Sequence, residues 1–405
     1  MMRRSFSLSP CFSKVLGEEA RYFNRFNGFH RADTNHLDKG QVLQAQHRFF
    51  SRSRWWLLWP IFLLLPRLAM AVLFYGTADP THNTTAPTGA LTNSGWQYQG
   101  TWGEFLGTPI APKYFLTAHH VGGAVGEKFH FRDVDYTTTA FFDDAGSDLR
   151  VWRICGTFPD YASLYSSSGE AGKTIVVFGR GTQRGVEVLV ESDLTNSLKG
   201  WQWGPADGVQ RWGTNVVTAI VTSASYGQLL KCNFDASGGD DEAHLSVGDS
   251  GGGVFLKQGA VWKLAGINLS VDGPYNTSTN GPGFMAAIFD EGGLYKGQEG
   301  NWTFIPDAPV DVPGSFYATR VSAHLSWISS VLQAPPPADP LPILQSSPSV
   351  TGPFQDVSSA SIDTTTRTVT VSVPPDIQFY RLQACDPLHI TGISISGANL
   401  VLTYE

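Results

Sequence analysis

TIVVFGRGTQRGVEVLVESD, residues 174–193, carries two runs of β-branched and aromatic residues on either side of a glycine-rich break. Runs of that composition, punctuated by turn formers, read as strands. The same alternation of short apolar runs with Gly, Asn, Asp and Pro continues from residue 96 to about residue 320, which points to an all-β barrel or sandwich. A helix is predicted late in this stretch: Val321, Leu325, Ile328 and Leu332 recur at helical spacing beside Trp327, and Ser322 is placed to cap its start. Ala334-Pro-Pro-Pro-Ala-Asp-Pro-Leu-Pro342 follows, and its prolines favour an extended spacer. We assign 334–349 to that linker. TRTVTVSV at 366–373, IQFYRL at 377–382 and LVLTYE at 400–405 then read as strands of a small β module over 350–405. No repeat of 20–50 residues is evident.

The chain has 405 residues, enough for two or three domains and a large core. Charged residues make up 16% of it, against about 25% in ordinary domains. With 43 Gly and 24 Pro, that composition describes a loop-rich globular protein and excludes coiled coil, disorder and a small disulfide-stapled scaffold. Charge is unevenly spread. Residues 1–54 hold ten Lys/Arg against four Asp/Glu and Arg67 adds another cation, so with a whole-chain charge of −7 the part from residue 72 onward is near −14. An acidic chain repels phosphate backbones, and nucleic acid is not an expected partner. The cysteines, Cys11, Cys155, Cys232 and Cys385, have no CxxC spacing, so no metal cluster or redox motif is implied. A Cys155–Cys232 bridge stays open.

Arg52 and Arg54 precede WWLLWPIFLLLP at 55–66, followed by Arg67 and Leu68-Ala69-Met70-Ala71. A basic flank, a short apolar run and an A-x-A site in that order form a secretory signal over 55–71, with cleavage expected after Ala71. The alternative is a membrane anchor retained over 55–75, but the run is short of the about 20 residues a span needs and Arg67 would lie near its middle. Residues 1–54 are longer than an ordinary leader's basic region, and no structure is assigned to them. The product is expected to be extracellular or periplasmic and monomeric, touching a membrane only during export.

Three segments far apart in sequence supply a His, an Asp and a Ser: FLGTPIAPKYFLTAHHV at 105–121, SDLRVWRI at 147–154 and SVGDSGGGVF at 246–255. A serine hydroxyl is a weak nucleophile until an imidazole takes its proton, and the imidazole needs a buried carboxylate to hold its tautomer. Asp148 immediately precedes an apolar strand, whereas Asp143 and Asp144 suit a loop.

In that order the segments resemble the trypsin/chymotrypsin-like serine peptidases. The first is similar to the family's strand, turn and L-T-A-A-H-C block, which implies His120 as the base, three residues after Thr117. The second resembles D-I-A-L-L-R-L and implies Asp148 as the orienting acid. GDSGGG resembles the nucleophile loop and implies Ser250, with the N–H groups of Gly248 and Ser250 as the oxyanion hole. PGSFYATRVSAHLSWI at 313–328 resembles the closing P-G-V-Y-T-R-V and terminal helix. The likeness spans about residues 96–332, and the chain from 72 to 333 is expected to fold as the family's double β-barrel with its C-terminal helix. It also implies an ion pair between Asp249 and a mature N-terminus at Val72, since Val72-Leu-Phe-Tyr-Gly76 somewhat resembles I-V-G-G. No metal or organic cofactor is implied.

Some positions depart from the family. Leu106, Val121 and Ser246 stand where cysteines are usual, as in a bacterial-type branch. His244 matches the base of the primary pocket, where an Asp would select Arg or Lys, so tryptic cleavage is not expected; Leu269 and Ser270 are its expected neighbours. Some forty extra residues before Pro313 either reshape that pocket or cover a barrel face. The expected activity is endopeptidase cleavage through an acyl-enzyme. Its rival is a catalytically inactive protease-like binding or adhesion module. An esterase of the G-x-S-x-G type is disfavoured, because that fold runs Ser, Asp, His along the chain.

Overall fold

The computed structural model describes residues 72–191 and 196–405. The expected extension and signal segment lie outside the described residues. Six antiparallel strands close a first barrel in the order Gly100–Trp102, Phe105–Ala111, Tyr114–Ala118, Leu149–Ile154, Val134–Asp143 and Lys128–Phe131. Alternation builds them: along Lys128–Phe131 exposed and buried residues take turns, so Phe129 and Phe131 face inward. They meet Trp102, Phe115, Trp152 and Phe158 in an aromatic core. Leu149–Ile154 is buried at every position, since Trp152 and Ile154 fill this core while Leu149 and Val151 face the second barrel.

The second barrel closes in the order Arg211–Ser223, Gly227–Asn233, Ser315–Arg320, Val261–Val271, Gly253–Gln258 and Thr174–Gly179. Its Val176, Phe178, Phe255 and Ile267 join Leu106, Leu116, Leu149 and Val151 of the first barrel in one cluster, closed by Ile328 and Val331 of the helix Leu325–Gln333. Burying each such side chain contributes about 1.5–3 kcal/mol. Two closed barrels sharing a core, ended by a helix, are the chymotrypsin-type double barrel that the sequence led us to expect. The helix starts later than Ser322 would set it. His324 is its N-cap, and the Ser322 hydroxyl instead joins Arg320 on the buried carboxylate of Glu170. Among the described residues no helix is long and apolar enough to cross a membrane.

Additions surround the second barrel. Thr182–Glu191 and Asn196–Ala206 form an antiparallel pair that takes Ala286–Ile288 as its third strand. The rest of the insertion before Pro313 makes a separate three-stranded sheet, Tyr275–Asn276, Tyr295–Gln298 and Asn301–Phe304. At the start of the described chain, Leu73–Phe74 pairs with Ala243–His244.

The C-terminal module has a three-stranded sheet, Gln355–Asp356, Ile343–Ser347 and Phe379–Gln383, and a four-stranded one, Ser361–Asp363, Thr368–Ser372, Asn399–Tyr404 and Ile390–Ser396. Ile343–Ser347 falls inside the span assigned to the linker, yet Leu344 is in the module's core with Val369, Val371, Leu402 and Tyr404. The disulfide is also not the one left open above. Cys155 pairs with Cys385, because Cys232 is enclosed in the second barrel's core while Cys155 follows the last strand of the first barrel. Burial pushes the Cys232 thiol well up. The same corner holds Lys113 against Asp386 at 2.8 Å and the buried Arg153 against Asp339 of the Pro-rich segment at 2.5 Å.

Candidate active site

Strand pairing brings the first two side chains together. Tyr114–Ala118 runs antiparallel to Leu149–Ile154 with Ala118 opposite Leu149. His120, in the single turn after Ala118, therefore lies beside Asp148, just ahead of Leu149. The His119 N–H donates to the Asp148 carbonyl at 2.7 Å and the His120 N–H to Asp148 Oδ1 at 3.0 Å. Asp148 Oδ2 lies 2.5 Å from His120 Nδ1, and His120 Nε2 lies 2.8 Å from Ser250 Oγ. Asp148 is 2% exposed, so its carboxylate is directed at the ring rather than at water. Holding Nδ1–H in that bond leaves Nε2 as the acceptor for the serine proton.

The other nearby groups are engaged elsewhere. His119 is half exposed and lies 3.6 Å from Asp143, whose carboxylate takes the fork of Arg150. Asp144 accepts from Ser147 and contacts His324 at 2.6 Å.

The loop carrying Ser250 needs its glycines. Gly248 has φ +96, and a Cβ there would lie 2.7 Å from Gly181 Cα. Gly251, at φ +77, would press a Cβ to 2.3 Å from Thr117 Oγ1, so only glycine lets the loop meet the first barrel. Among the described residues, the N–H groups of Gly248 and Ser250 have no hydrogen-bond partner. Two free donors thus lie in the loop of the Ser250 hydroxyl, as an oxyanion site requires.

Asp249 is fully buried behind that loop. Its carboxylate accepts from the N–H of Gly181 and Ser246, from the Ser246 hydroxyl and from the N–H of Val72. Burial outweighs these donors and raises it to about 6. Val72 and Asp249 are therefore together. Sequence reasoning missed the clamp on that N-terminal strand: Arg184 donates to the carbonyls of Phe74 and Tyr75 and stacks 3.6 Å over Trp201. Burial lowers Arg184 to about 10.

A small cleft beside Ser250 is lined by Leu269 and Ser270, two positions named from the sequence, together with Trp203, Asn268 and Val271. His244 is not one of its lining residues. Pairing with Leu73 encloses it between the rings of Phe234 and Phe316, where Nδ1 meets the Leu245 carbonyl at 2.8 Å. Burial lowers it to about 4, so it is a neutral core residue behind the cleft. Trp203 was also missed; the alternation WQW at 201–203 sets Trp201 and Trp203 on one face of a strand, but which face meets the cleft depends on the fold.

No protein-family model matches the chain, and no curated protein matches its sequence. Among solved structures it is similar to a mutant of human heparin binding protein, with 13% identity over 61% of this chain and 96% of that one and a TM-score of 0.37. The two closed barrels, rather than that distant likeness, make this chain a chymotrypsin-type double barrel.

Proposed function

We propose that the protein is a secreted serine endopeptidase. Ser250 Oγ attacks the peptide carbonyl carbon as His120 Nε2 takes the hydroxyl proton, and Asp148 steadies the imidazolium through Nδ1–H. The oxyanion rests on the N–H groups of Gly248 and Ser250; one such donor contributes about 3–4 kcal/mol to the transition state. His120 then hands its proton to the departing amine, leaving Ser250 acylated. Water, deprotonated by the same nitrogen, attacks the ester, and the acid leaves as the serine recovers its proton. None of these steps calls on a metal or organic cofactor.

The observation that carries this reading is the unbroken line from Asp148 through His120 to Ser250, at 2.5 and 2.8 Å. An inactive binding module has no use for that line together with two unpartnered loop N–H groups. The decisive experiment compares the purified protein with Ser250→Ala on a peptide library. Cleavage should fall by about a million-fold; equal cleavage by both would remove Ser250 from the reaction.

In the same reading the leader is cut after Ala71. The new amine of Val72 would then meet the Asp249 carboxylate that its amide N–H already touches, adding a cation to a buried acid that has only neutral donors. N-terminal sequencing of the exported protein tests this, and a start other than Val72 would exclude it.

A further inference from the structure

The cleft beside Ser250 measures about 10 Å³, room for at most about one water molecule. No charged side chain lines it among the described residues, and His244 behind it is a neutral ring between two phenylalanines. A cationic or anionic substrate side chain would therefore meet neither space nor a counter-charge there.

Three residues of its lining each carry a buried polar atom with no partner among the described residues: Ser270 Oγ, Asn268 Oδ1 and Trp203 Nε1. Ser270 is 6% exposed and Asn268 is fully buried. Asn268 spends its amide donors on the Phe178 and Asp249 carbonyls, leaving its oxygen unused. Buried polar atoms are ordinarily paired, and the residues around this one small space thus hold an unspent hydroxyl, amide oxygen and indole N–H, polar capacity suited to a single small neutral group.

Resting on the peptidase reading, we propose that this protein cleaves after small, uncharged residues, with serine favoured over alanine, and that Trp203 sets the size limit while Ser270 reads the substrate hydroxyl. Val271 and the strand around it belong to the barrel core, whereas Trp203 reaches the cleft from the hairpin Thr182–Glu191/Asn196–Ala206 outside the barrel. The hairpin thus closes from one side a space that the barrel bounds from the other.

The test uses the exported full chain and peptides of one sequence that differ only in the residue before the scissile bond. kcat/KM for Ser and Ala should exceed that for Phe, Arg and Glu by about 100-fold, the scale on which a closed pocket rejects extra bulk. Trp203→Ala should raise cleavage after Phe by at least about 10-fold, and Ser270→Ala should erase the preference for Ser over Ala while cleavage after Ala persists. Parent cleavage after Phe, Arg or Glu equal to that after Ala overturns the proposal, as does a Trp203→Ala protein with no gain toward Phe. A fluorophosphonate probe, which has no such side chain, separates the two readings. Ser250 labelled in a protein that prefers bulky residues overturns the specificity alone; no labelling of the folded protein overturns the peptidase reading and this one with it.

Discussion

The junction of the two barrels and the C-terminal module are both made of short antiparallel strands, yet they are held together by different means. Across the junction, one cluster draws side chains from both barrels and the helix, and Leu106, Leu116, Leu149, Val176 and Phe255 are fully enclosed. In the module only Leu344, Val369, Val371, Leu402 and Tyr404 form the buried core, while Ile377, Ile393 and Ile395 are 81%, 68% and 70% exposed. A unit of about 60 residues cannot bury enough apolar surface to be secure alone and needs a staple. The Cys155–Cys385 bond and the Lys113–Asp386 and Arg153–Asp339 pairs supply one. Large shared cores position chemistry to within a hydrogen bond; small ones are fastened to something larger.

Four measurements would break or sharpen that contrast. The largest effect belongs to the Ser250 loop: Gly248→Ala places a Cβ 2.7 Å from Gly181 Cα at a φ of +96, displacing the proposed oxyanion donor. kcat should fall by about 10²–10³-fold, with a stability cost of about 1–3 kcal/mol from the strained φ beside it, and a variant of normal kcat would show that Gly248 is not a donor.

Next comes acid stability of the second barrel. Burial lowers His244 from 6.5 to about 4. The unfolded chain therefore takes up this proton from pH 6.5 downward, while the folded one resists until about 4. The stability tied to His244 is full above 6.5 and is lost between 6.5 and 4, by about 3 kcal/mol. Glu242 and Asp249, raised by burial to about 8 and about 6, respond in the opposite sense, so the parent's curve mixes all three. The stability difference between parent and His244→Gln, measured by denaturant at pH 7 and at pH 4, isolates the histidine. It should shift against the parent by about 3 kcal/mol; a constant difference would mean that His244 is not held neutral.

The staple follows. Cys385→Ser should lower the module's unfolding free energy by about 2 kcal/mol, the low end of the usual range because the ion pairs at that corner remain. The proposed peptidase activity should stay within about twofold, since the bond lies at the end of Leu149–Ile154 remote from Asp148. A large loss of activity would tie the module to the cleft. Smallest is Lys113→Ala. Its pair with Asp386 is open to solvent, at 26% and 56% side-chain exposure, so a cost below about 1 kcal/mol is expected, shrinking further in high salt.

Much of this could be read along the chain. Alternation at period two marked the strands, as in Lys128–Phe131, and helical spacing marked Leu325–Gln333. His120, Asp148 and Ser250 were legible because each lies in a short segment whose neighbours also have work to do: the strand before the histidine, the buried strand after the aspartate, the glycines around the serine. The same local reading failed for His244 and Ser322. A histidine on a two-residue strand does not reveal that Leu73 will cover it, and a serine near a helix start does not reveal a buried Glu170 waiting across the fold.

Sequence by itself determined the strand and helix types and the chemical groups available for catalysis, because hydrogen-bond periodicity and turn chemistry act over a few residues. Tertiary structure alone decided that Cys155 meets Cys385 across 230 positions, that Trp203 from an outlying hairpin lines the cleft, and that Arg184 clamps the strand after Val72. Those contacts depend on how two barrels and a module fill space together, and close packing is a property of the whole arrangement that no single segment carries.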